Sequence, residues 1–317
     1  MKTRLTTGYY LLAILICCGA GIISAACAGG ALPGKGNMKN ILAYYQTQGI
    51  MTDPGSKEDL YRELPREIPS LVKIVQGVMA HVYMDPILGR AIPEERKKEV
   101  EIRTLETKLE RISQLDSRPL KEVRPFEKRL VSNCRDYSLF LCSLLRNQGY
   151  SARARCGFAT YFTPGRFEDH WIVEYWDTSK NRWVKVDPQL TPEACQTFKL
   201  DFNPLDLPEG KFLSGSQVWL KCRKGEIDPE LCGIQHLKGL WFVRGDLIRD
   251  LMALNKLEIL PWDCNELMGK DREPSPEDNQ LLDEAASLVE GGDKTFPAMQ
   301  TFYQSHPSFR MPKNWMP

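Results

Sequence analysis

Apolar residues recur at helical spacing in several segments of the chain, and this pattern predicts amphipathic helices. The first such segment is residues 71–84, with Ser70 as its expected N-cap. Its apolar stripe consists of Leu71, Ile74, Val75, Val78 and Val82. Three further helices are predicted, over residues 93–115, 245–254 and 276–290.

The centre of the chain holds another helix, which Ser132 or Asn133 can cap. Its apolar face consists of Tyr137, Phe140, Leu141, Leu144 and Leu145. Gly149 follows as the residue that can end the helix in a left-handed conformation. Cys134 therefore lies in the first turn of this helix.

Three strand-like runs follow, over residues 150–161, 170–176 and 182–187. A polar turn joins the last two runs. When Trp176 faces Asn181 across that turn, His170 faces Asp187, because cross-strand partners lie on one face. The opposite face is then expected to be core, with Val173, Tyr175 and Val184 on it.

Cys134, His170 and Asp187 have the chemistry of a nucleophile, a base and an orienting acid. The unsatisfied N–H groups at a helix N-terminus favour a thiolate, so we expect the pKa of Cys134 to be low. A carboxylate on one imidazole nitrogen fixes the tautomer and leaves the other nitrogen to face the thiol. The hairpin register predicts this contact between His170 and Asp187.

Three motifs in this order resemble the transglutaminase-like superfamily. They are Asn133-Cys134-Arg135-Asp136, Asp169-His170-Trp171 and Trp183-Val184-Lys185-Val186-Asp187-Pro188. The resemblance spans roughly residues 124–190. It implies an α+β fold with a papain-like core, in which a helix carrying Cys packs on an antiparallel sheet carrying His and Asp. It also implies that Cys134 is the nucleophile, His170 the base and Asp187 the orienting acid.

Two further roles are assigned as hypotheses. The backbone N–H of Cys134 is the natural first donor to an oxyanion, and Gln76, on a different helix, is a candidate second donor. The alternative interpretation is that Gln76 is only a polar residue at a helix boundary. Trp171, together with Trp241 and Trp262, is a candidate to line a substrate cleft, with an aromatic core as the alternative interpretation.

Composition narrows the function classes. The net charge of +1 lacks the basic excess of a nucleic-acid-binding protein, so no nucleic-acid partner is expected. The sequence has four His and no Cys-x-x-Cys, which disfavours a zinc site. It also lacks a calcium loop rich in acidic residues. We therefore predict neither a metal nor a cofactor.

Seven cysteines follow the N-terminal segment, and an odd number leaves one thiol over if the protein is oxidised. If Cys134 is that free thiol, the other six form up to three disulfides or remain small buried apolar residues. Cys222 and Cys232 are the most plausible disulfide pair, because they flank a short segment.

The N-terminus resembles an export signal, with a basic start, an uncharged run and small residues. Residues 1–28 are thus a signal peptide or a membrane anchor, and Cys27 after Ser-Ala-Ala resembles a bacterial lipidation site. An exported protein, anchored in the membrane or lipidated, is expected. If translation starts near Met38, the protein is cytoplasmic.

The remaining chain divides into four predicted regions. These are a flexible linker (29–37), an N-terminal helical region (38–120), a transglutaminase-like catalytic core (121–192) and a C-terminal extension packed on the core (193–317). Within the extension, residues 193–230 hold many Pro and Gly residues and are predicted to be irregular.

The leading hypothesis is a cysteine enzyme that cleaves peptide or carboxamide bonds through a thioester, with hydrolysis favoured over protein cross-linking. Its partner is a protein or peptide substrate, and cell-envelope substrates suit an exported enzyme. The alternative is a non-catalytic domain of an exported protein or lipoprotein that keeps the fold as an interaction surface. A third reading is a structural lipoprotein whose cysteines are all in disulfides.

Overall fold

The computed structural model describes residues 35–317, with side chains from residue 37 onward, and its fold is α+β as predicted. The helices are α1 (Lys35–Gln46), α2 (Ile68–Val78), α3 (Met84–Ile87), α4 (Leu105–Leu115), α5 (Cys134–Asn147), α6 (Pro192–Thr197), α7 (Gly215–Arg223), α8 (Leu240–Leu254), α9 (Pro276–Glu290) and α10 (Phe296–Ser305). The strands are β1 (Met79–His81), β2 (Leu130–Ser132), β3 (Ala152–Ala159), β4 (Phe167–Asp177), β5 (Arg182–Val186), β6 (Phe212–Ser214), β7 (Cys232–Ile234) and β8 (Leu237–Lys238). Within this described part, we find no helix with the length and apolar character needed to cross a bilayer.

The strands form two sheets. The larger sheet has the order β6-β3-β4-β7-β8, with β5 paired to β4 beside β7. Its pairs are antiparallel except β4 with β7, which is parallel. In the smaller sheet, β1 and β2 pair in parallel and place His81 beside Ser132. The smaller sheet therefore ends two residues before Cys134.

Helix α5 packs on β3 and β4, so the Cys-bearing helix lies on the strand that carries His170. Asn133, rather than Ser132, is its N-cap. The Asn133 side chain accepts from the backbone N–H of Asp136, and the Asp136 carboxylate accepts from the backbone N–H of Asn133. The helix ends before Gly149, which has φ +85° as the predicted C-terminal glycine.

The predicted hairpin register is wrong by two residues. Trp176 faces Trp183 and Asp177 faces Arg182, so the turn is residues 178–181. The Asp177 carboxylate closes it by accepting from the backbone N–H groups of Ser179 and Lys180. A shift of two keeps every side chain on its predicted face. Val173, Tyr175 and Val184 accordingly share the core beneath α5, as expected.

Boundaries in the N-terminal region also differ from the predictions. The helix predicted over residues 71–84 begins at Ile68, after Glu67 rather than Ser70, and gives way at Met79 to β1. The helix predicted over residues 93–115 is divided into a 3-10 helix, Glu94–Glu101, and α4. Thr104 caps α4 through its side chain, which starts a new helix there. Residues 35–37 of the predicted linker already belong to α1.

The C-terminal half holds the predicted helices α8 and α9, together with elements that the sequence reading missed. Residues 193–230, predicted to be irregular, contain most of α6 and all of β6 and α7. Ser214 and Gln217 form a capping box at the start of α7, a local signal that the Pro and Gly content obscured. Helices α7 and α8 also pack on β3, where Phe158 contacts Phe242 of α8.

Candidate active site

Cys134 is the first residue of α5, and its half-buried side chain lines a cavity of about 760 Å³. Burial, and then the negative charge of Asp169, raise the pKa of the Cys134 thiol well above its ordinary value. The backbone N–H groups of Trp171 and Arg135 oppose this shift without reversing it. The expectation of a low pKa from the helix N-terminus is therefore wrong, and the neutral thiol is the resting form.

The predicted contact between His170 and Asp187 is present. His170 Nε2 and Asp187 Oδ2 are 2.8 Å apart, and both side chains are buried. Asp187 directly follows β5, so the corrected register makes the two residues diagonal rather than direct neighbours on one face. The contact uses Nε2, which leaves Nδ1 as the nitrogen available to another partner. His170 also lines the cavity with Cys134.

The Asp187 carboxylate is fixed by two further donors. The Tyr161 hydroxyl donates to Oδ2 at 2.5 Å, and the Gln189 backbone N–H donates to Oδ1 at 3.1 Å. Burial, followed by the Asp187 charge, raises the pKa of Tyr161 well above its ordinary value, so Tyr161 remains a donor. Tyr161 and Phe162 also contact the His170 ring edge-on. The sequence reading missed Tyr161, because nothing local relates it to Asp187.

The cavity has walls from two parts of the chain. Cys134 and His170 line it together with Trp241 and Trp262, which come from the C-terminal region and were predicted as cleft residues. Further apolar lining residues are Ile87, Phe162, Phe198, Ile234, Leu237 and Phe242. Trp171 is 0% exposed and packs with Cys156 and Ala253, so its prediction as a cleft residue is wrong.

Gln76 does not have the geometry of an oxyanion donor. Its side-chain Nε2 donates to the carbonyl oxygens of Pro188 at 3.1 Å and Leu190 at 3.2 Å. Both bonds tie α2 to the segment that follows Asp187. The hypothesis of a second oxyanion donor at Gln76 is therefore wrong, because its amide donors are already used to hold this segment.

His81 lines the cavity and was not predicted as a site residue. Its Nδ1 accepts from the backbone N–H groups of Tyr83 at 3.2 Å and Met84 at 3.1 Å. Its Nε2 is buried and has no hydrogen-bond partner among the described residues. Burial, and then the neighbouring His170, lower the pKa of His81 to about 4. Nothing in the sequence indicates this role, because the helical spacing of residues 71–84 predicts the end of a helix here.

Cys156, Asp169 and Asp246 form a second cluster beside the cavity. Their potential ligand atoms all lie within 4.8 Å of one another, which is close enough to hold a metal ion. The guanidinium of Arg249 already contacts Asp246 Oδ1 at 3.2 Å and competes with such an ion. Burial raises the pKa of Asp169 to about 6 and that of Asp246 well above its ordinary value, so a proton shared by the two carboxyl groups also fits. The three residues are too far apart in sequence to suggest the cluster.

The seven cysteines of the described chain are free thiols. The predicted disulfide between Cys222 and Cys232 is not formed, although the two thiols lie in side-chain contact. Cys142 and Cys156 are fully buried, as expected of small apolar residues. Cys27 and the proposed export signal lie outside the described residues.

Fold and site together define an α+β protein in which a cysteine at a helix N-terminus shares a cavity with a strand-borne His–Asp pair. Residues 90–188 match the family model described as the transglutaminase-like superfamily. This protein thus carries a transglutaminase-like core, as the three motifs indicated. The match ends at Pro188, directly after Asp187. No curated protein and no solved structure matches the chain.

Proposed function

We propose that this protein is a cysteine-dependent acyl-transfer enzyme that acts on peptide or carboxamide bonds. The Cys134 sulfur attacks the carbonyl carbon, the amine leaves, and water hydrolyses the thioester that remains. The observation that carries the proposal is the 2.8 Å contact between His170 Nε2 and Asp187 Oδ2, at a cavity that Cys134 also lines.

The pKa of Cys134 and the contact between His170 and Asp187 support a distinct role for each of the three residues. The raised pKa of Cys134 means that its thiol needs a base before it can attack. His170 takes that proton at Nδ1, because Nε2 is engaged with Asp187. The proton then passes to the leaving amine. Asp187 stabilises the imidazolium that forms between these two steps.

Hydrolysis is the proposed outcome, because it needs only water as the acceptor, whereas cross-linking also needs a site for an amine. The apolar wall with Trp241 and Trp262 suits a protein or peptide substrate that presents a large apolar side chain. If residues 1–28 direct export, peptides and proteins of the cell envelope are the available substrates, and the membrane is met only through that N-terminal segment.

The test is the rate at which iodoacetamide alkylates each thiol at pH 7.5, followed by peptide mass spectrometry. Cys264 is exposed and free, so it serves as an internal reference. We expect His170→Ala to slow alkylation of Cys134 at least tenfold and to leave Cys264 unchanged. Equal Cys134 rates in the wild type and in His170→Ala would contradict the proposal.

The second candidate is a non-catalytic interaction domain. The observation in its favour is the raised pKa of Cys134, since a thiol that never loses its proton is inert. On this alternative, Cys134 alkylation is slower than that of Cys264 and insensitive to residue 170. The same experiment therefore separates the two functions.

A further inference from the structure

His81 is held beside the nucleophile by the smaller sheet. It pairs with Ser132 in β2, and the backbone N–H of Val82 donates to the Ser132 carbonyl at 2.8 Å. Asn133 and then Cys134 follow directly. The pairing therefore holds the His81 backbone close in space to the N-terminus of α5. The side chains of His81 and Cys134 both line one cavity.

The hydrogen bonds of the His81 ring determine where its proton is. Nδ1 accepts from two backbone N–H groups, those of Tyr83 and Met84, so Nδ1 carries no hydrogen. The proton of the neutral ring is therefore on Nε2. The Asp85 carboxylate accepts from the His81 backbone N–H and is itself bound by Arg90, which stabilises this turn.

The His81 Nε2–H group is a buried donor without an acceptor. His81 is 7% exposed, and Nε2 has no partner within the described chain. The side chain of Gln189 lies beside His81. The two groups are not placed to form a hydrogen bond, and Gln189 Oε1 also has no partner within the described chain. A buried donor left unpaired costs about 1–3 kcal/mol. Because His81 lines the cavity, an acceptor that arrives with a ligand would satisfy this donor.

We propose that His81 donates its Nε2–H to the carbonyl oxygen that becomes negative when Cys134 attacks. In that step the carbon–sulfur bond forms and the carbonyl π pair moves onto oxygen. The oxyanion accepts from the backbone N–H of Cys134 and from His81. When the carbon–nitrogen bond breaks, the pair returns to form the thioester carbonyl. His170 supplies the proton to the amine, and His81 keeps its own.

The ring is suited to donating and unsuited to acting as a second base. Its pKa of about 4 keeps His81 neutral at pH 7, and its remaining acceptor, Nδ1, is already used twice. A neutral donor also avoids a second positive charge next to His170 when that ring is protonated. The inference takes over the role first assigned to Gln76, and it rests on the proposed function.

Two substitutions separate the donor from the fold. Asn at position 81 can accept from Tyr83 and Met84 as Nδ1 does but places no donor where Nε2 is. Gln at position 81 places an amide N–H near the Nε2 position. The acyl donor is p-nitrophenyl hexanoate, and the acylation rate is read from nitrophenolate release. Iodoacetamide alkylation is the matched control, because that displacement forms no oxyanion.

We expect His81→Asn to slow acylation by about 100-fold, with KM and the Cys134 alkylation rate nearly unchanged. We expect His81→Gln to recover part of that loss. A thermal unfolding midpoint within a few degrees of the wild type checks the fold.

An acylation rate for His81→Asn within threefold of the wild type would overturn the assignment while leaving the proposed function intact. Equal losses in acylation and alkylation would also overturn it, because His81 would then act on the thiol. If the wild type is not acylated at all and its alkylation is independent of His170, both the inference and the proposed function fail.

Discussion

Two clusters of buried polar groups each include residues of β4, and they differ in how completely their hydrogen bonds are satisfied. In the first, the Arg155 guanidinium binds Asp250 through two bonds of 2.8 Å and Glu174 at 3.1 Å. Arg153 binds Glu174 at 2.7 Å. We name these four residues the paired cluster. Although burial opposes ionisation, Arg155 and Arg153 hold the pKa of Glu174 well below its usual range.

The other group of buried polar residues lines the cavity, and several of its polar atoms have no hydrogen-bond partner within the described chain. They include His81 Nε2, Asp169 Oδ1 and Gln189 Oε1. His170 and Glu174 lie on one face of a single strand, four residues apart, yet one belongs to each cluster. The difference teaches that burial alone does not identify a site. Unpaired atoms around a cavity indicate function, whereas fully paired charges indicate a structural role.

The sharpest test of this comparison is His170→Ala. Removing the base should lower acyl transfer at least 1000-fold, because the neutral Cys134 thiol then has no proton acceptor. The free energy of unfolding should fall by less than the roughly 3–5 kcal/mol expected for the paired cluster, because Tyr161 and the Gln189 backbone N–H still hold Asp187. Turnover of p-nitrophenyl hexanoate and urea denaturation measure the two effects, with Lys121→Ala, outside the cavity lining, as the control. A loss of stability that matches the loss of rate would erase the distinction.

The opposite pattern is expected for the paired cluster. Arg155→Met leaves Asp250 and Glu174 as buried carboxylates without their main partner, which should cost about 3–5 kcal/mol of stability. Urea denaturation measures this cost. Lys121→Ala, at the exposed ion pair with Glu63, is the control and should cost less than about 1 kcal/mol. Arg155→Met with wild-type stability but reduced kcat would assign the cluster to the site instead.

A third effect depends on pH and concerns Lys108, which is buried against Asp136 beneath the start of α5. Burial lowers the pKa of Lys108 from 10.5 to about 8. Between pH 8 and pH 10.5, Lys108 is mostly protonated in the unfolded chain and mostly neutral in the folded protein. The contribution of Lys108 to the free energy of unfolding therefore rises with pH.

The slope is at most about 1.4 kcal/mol per pH unit. We would measure it as the difference in unfolding free energy between the wild type and Lys108→Met from pH 7.5 to 10, since the other titrating groups cancel in that difference. A flat difference would show that Lys108 keeps its ordinary pKa, and a difference that falls with pH would show that folding raises it.

The smallest effect should come from Tyr161→Phe. It removes one donor to Asp187 but leaves the Gln189 backbone N–H and His170 in place. One hydrogen bond to a charged group is worth about 1.5–3 kcal/mol, so we expect acyl transfer to fall about tenfold or somewhat more. Steady-state kinetics with His81→Gln as a comparison would measure it. An unchanged rate would mean that Tyr161 serves packing alone.

Much of the fold could be predicted from local signals in the sequence. Asn133, one of the two predicted caps, starts α5 together with Asp136, and Ser275 with Asp278 caps the predicted helix α9. These signals work because both partners lie within one turn. The hairpin register is also determined locally, by the hydrogen bonds that the Asp177 carboxylate accepts in the turn. Hydrophobic alternation alone does not distinguish this register from one shifted by two residues.

Residues whose role depends on distant partners were beyond the sequence. His81 gains its position from a parallel pairing between strands almost fifty residues apart, within a segment that helical periodicity also fits. The pKa of Cys134 depends on Asp169, which folding brings beside it. Trp171 follows a site residue but points into the core, because alternate residues of a strand face opposite sides.

The cavity is lined by residues from separate stretches of the chain. The cysteine, histidine and aspartate lie within the matched residues 90–188, whereas Trp241 and Trp262 lie beyond them. Under the proposed function, the residues that break the bond and the aromatic residues that meet the substrate are therefore encoded by separate stretches of sequence. Substituting Trp241 and Trp262 would then change substrate preference and leave Cys134, His170 and Asp187 in place.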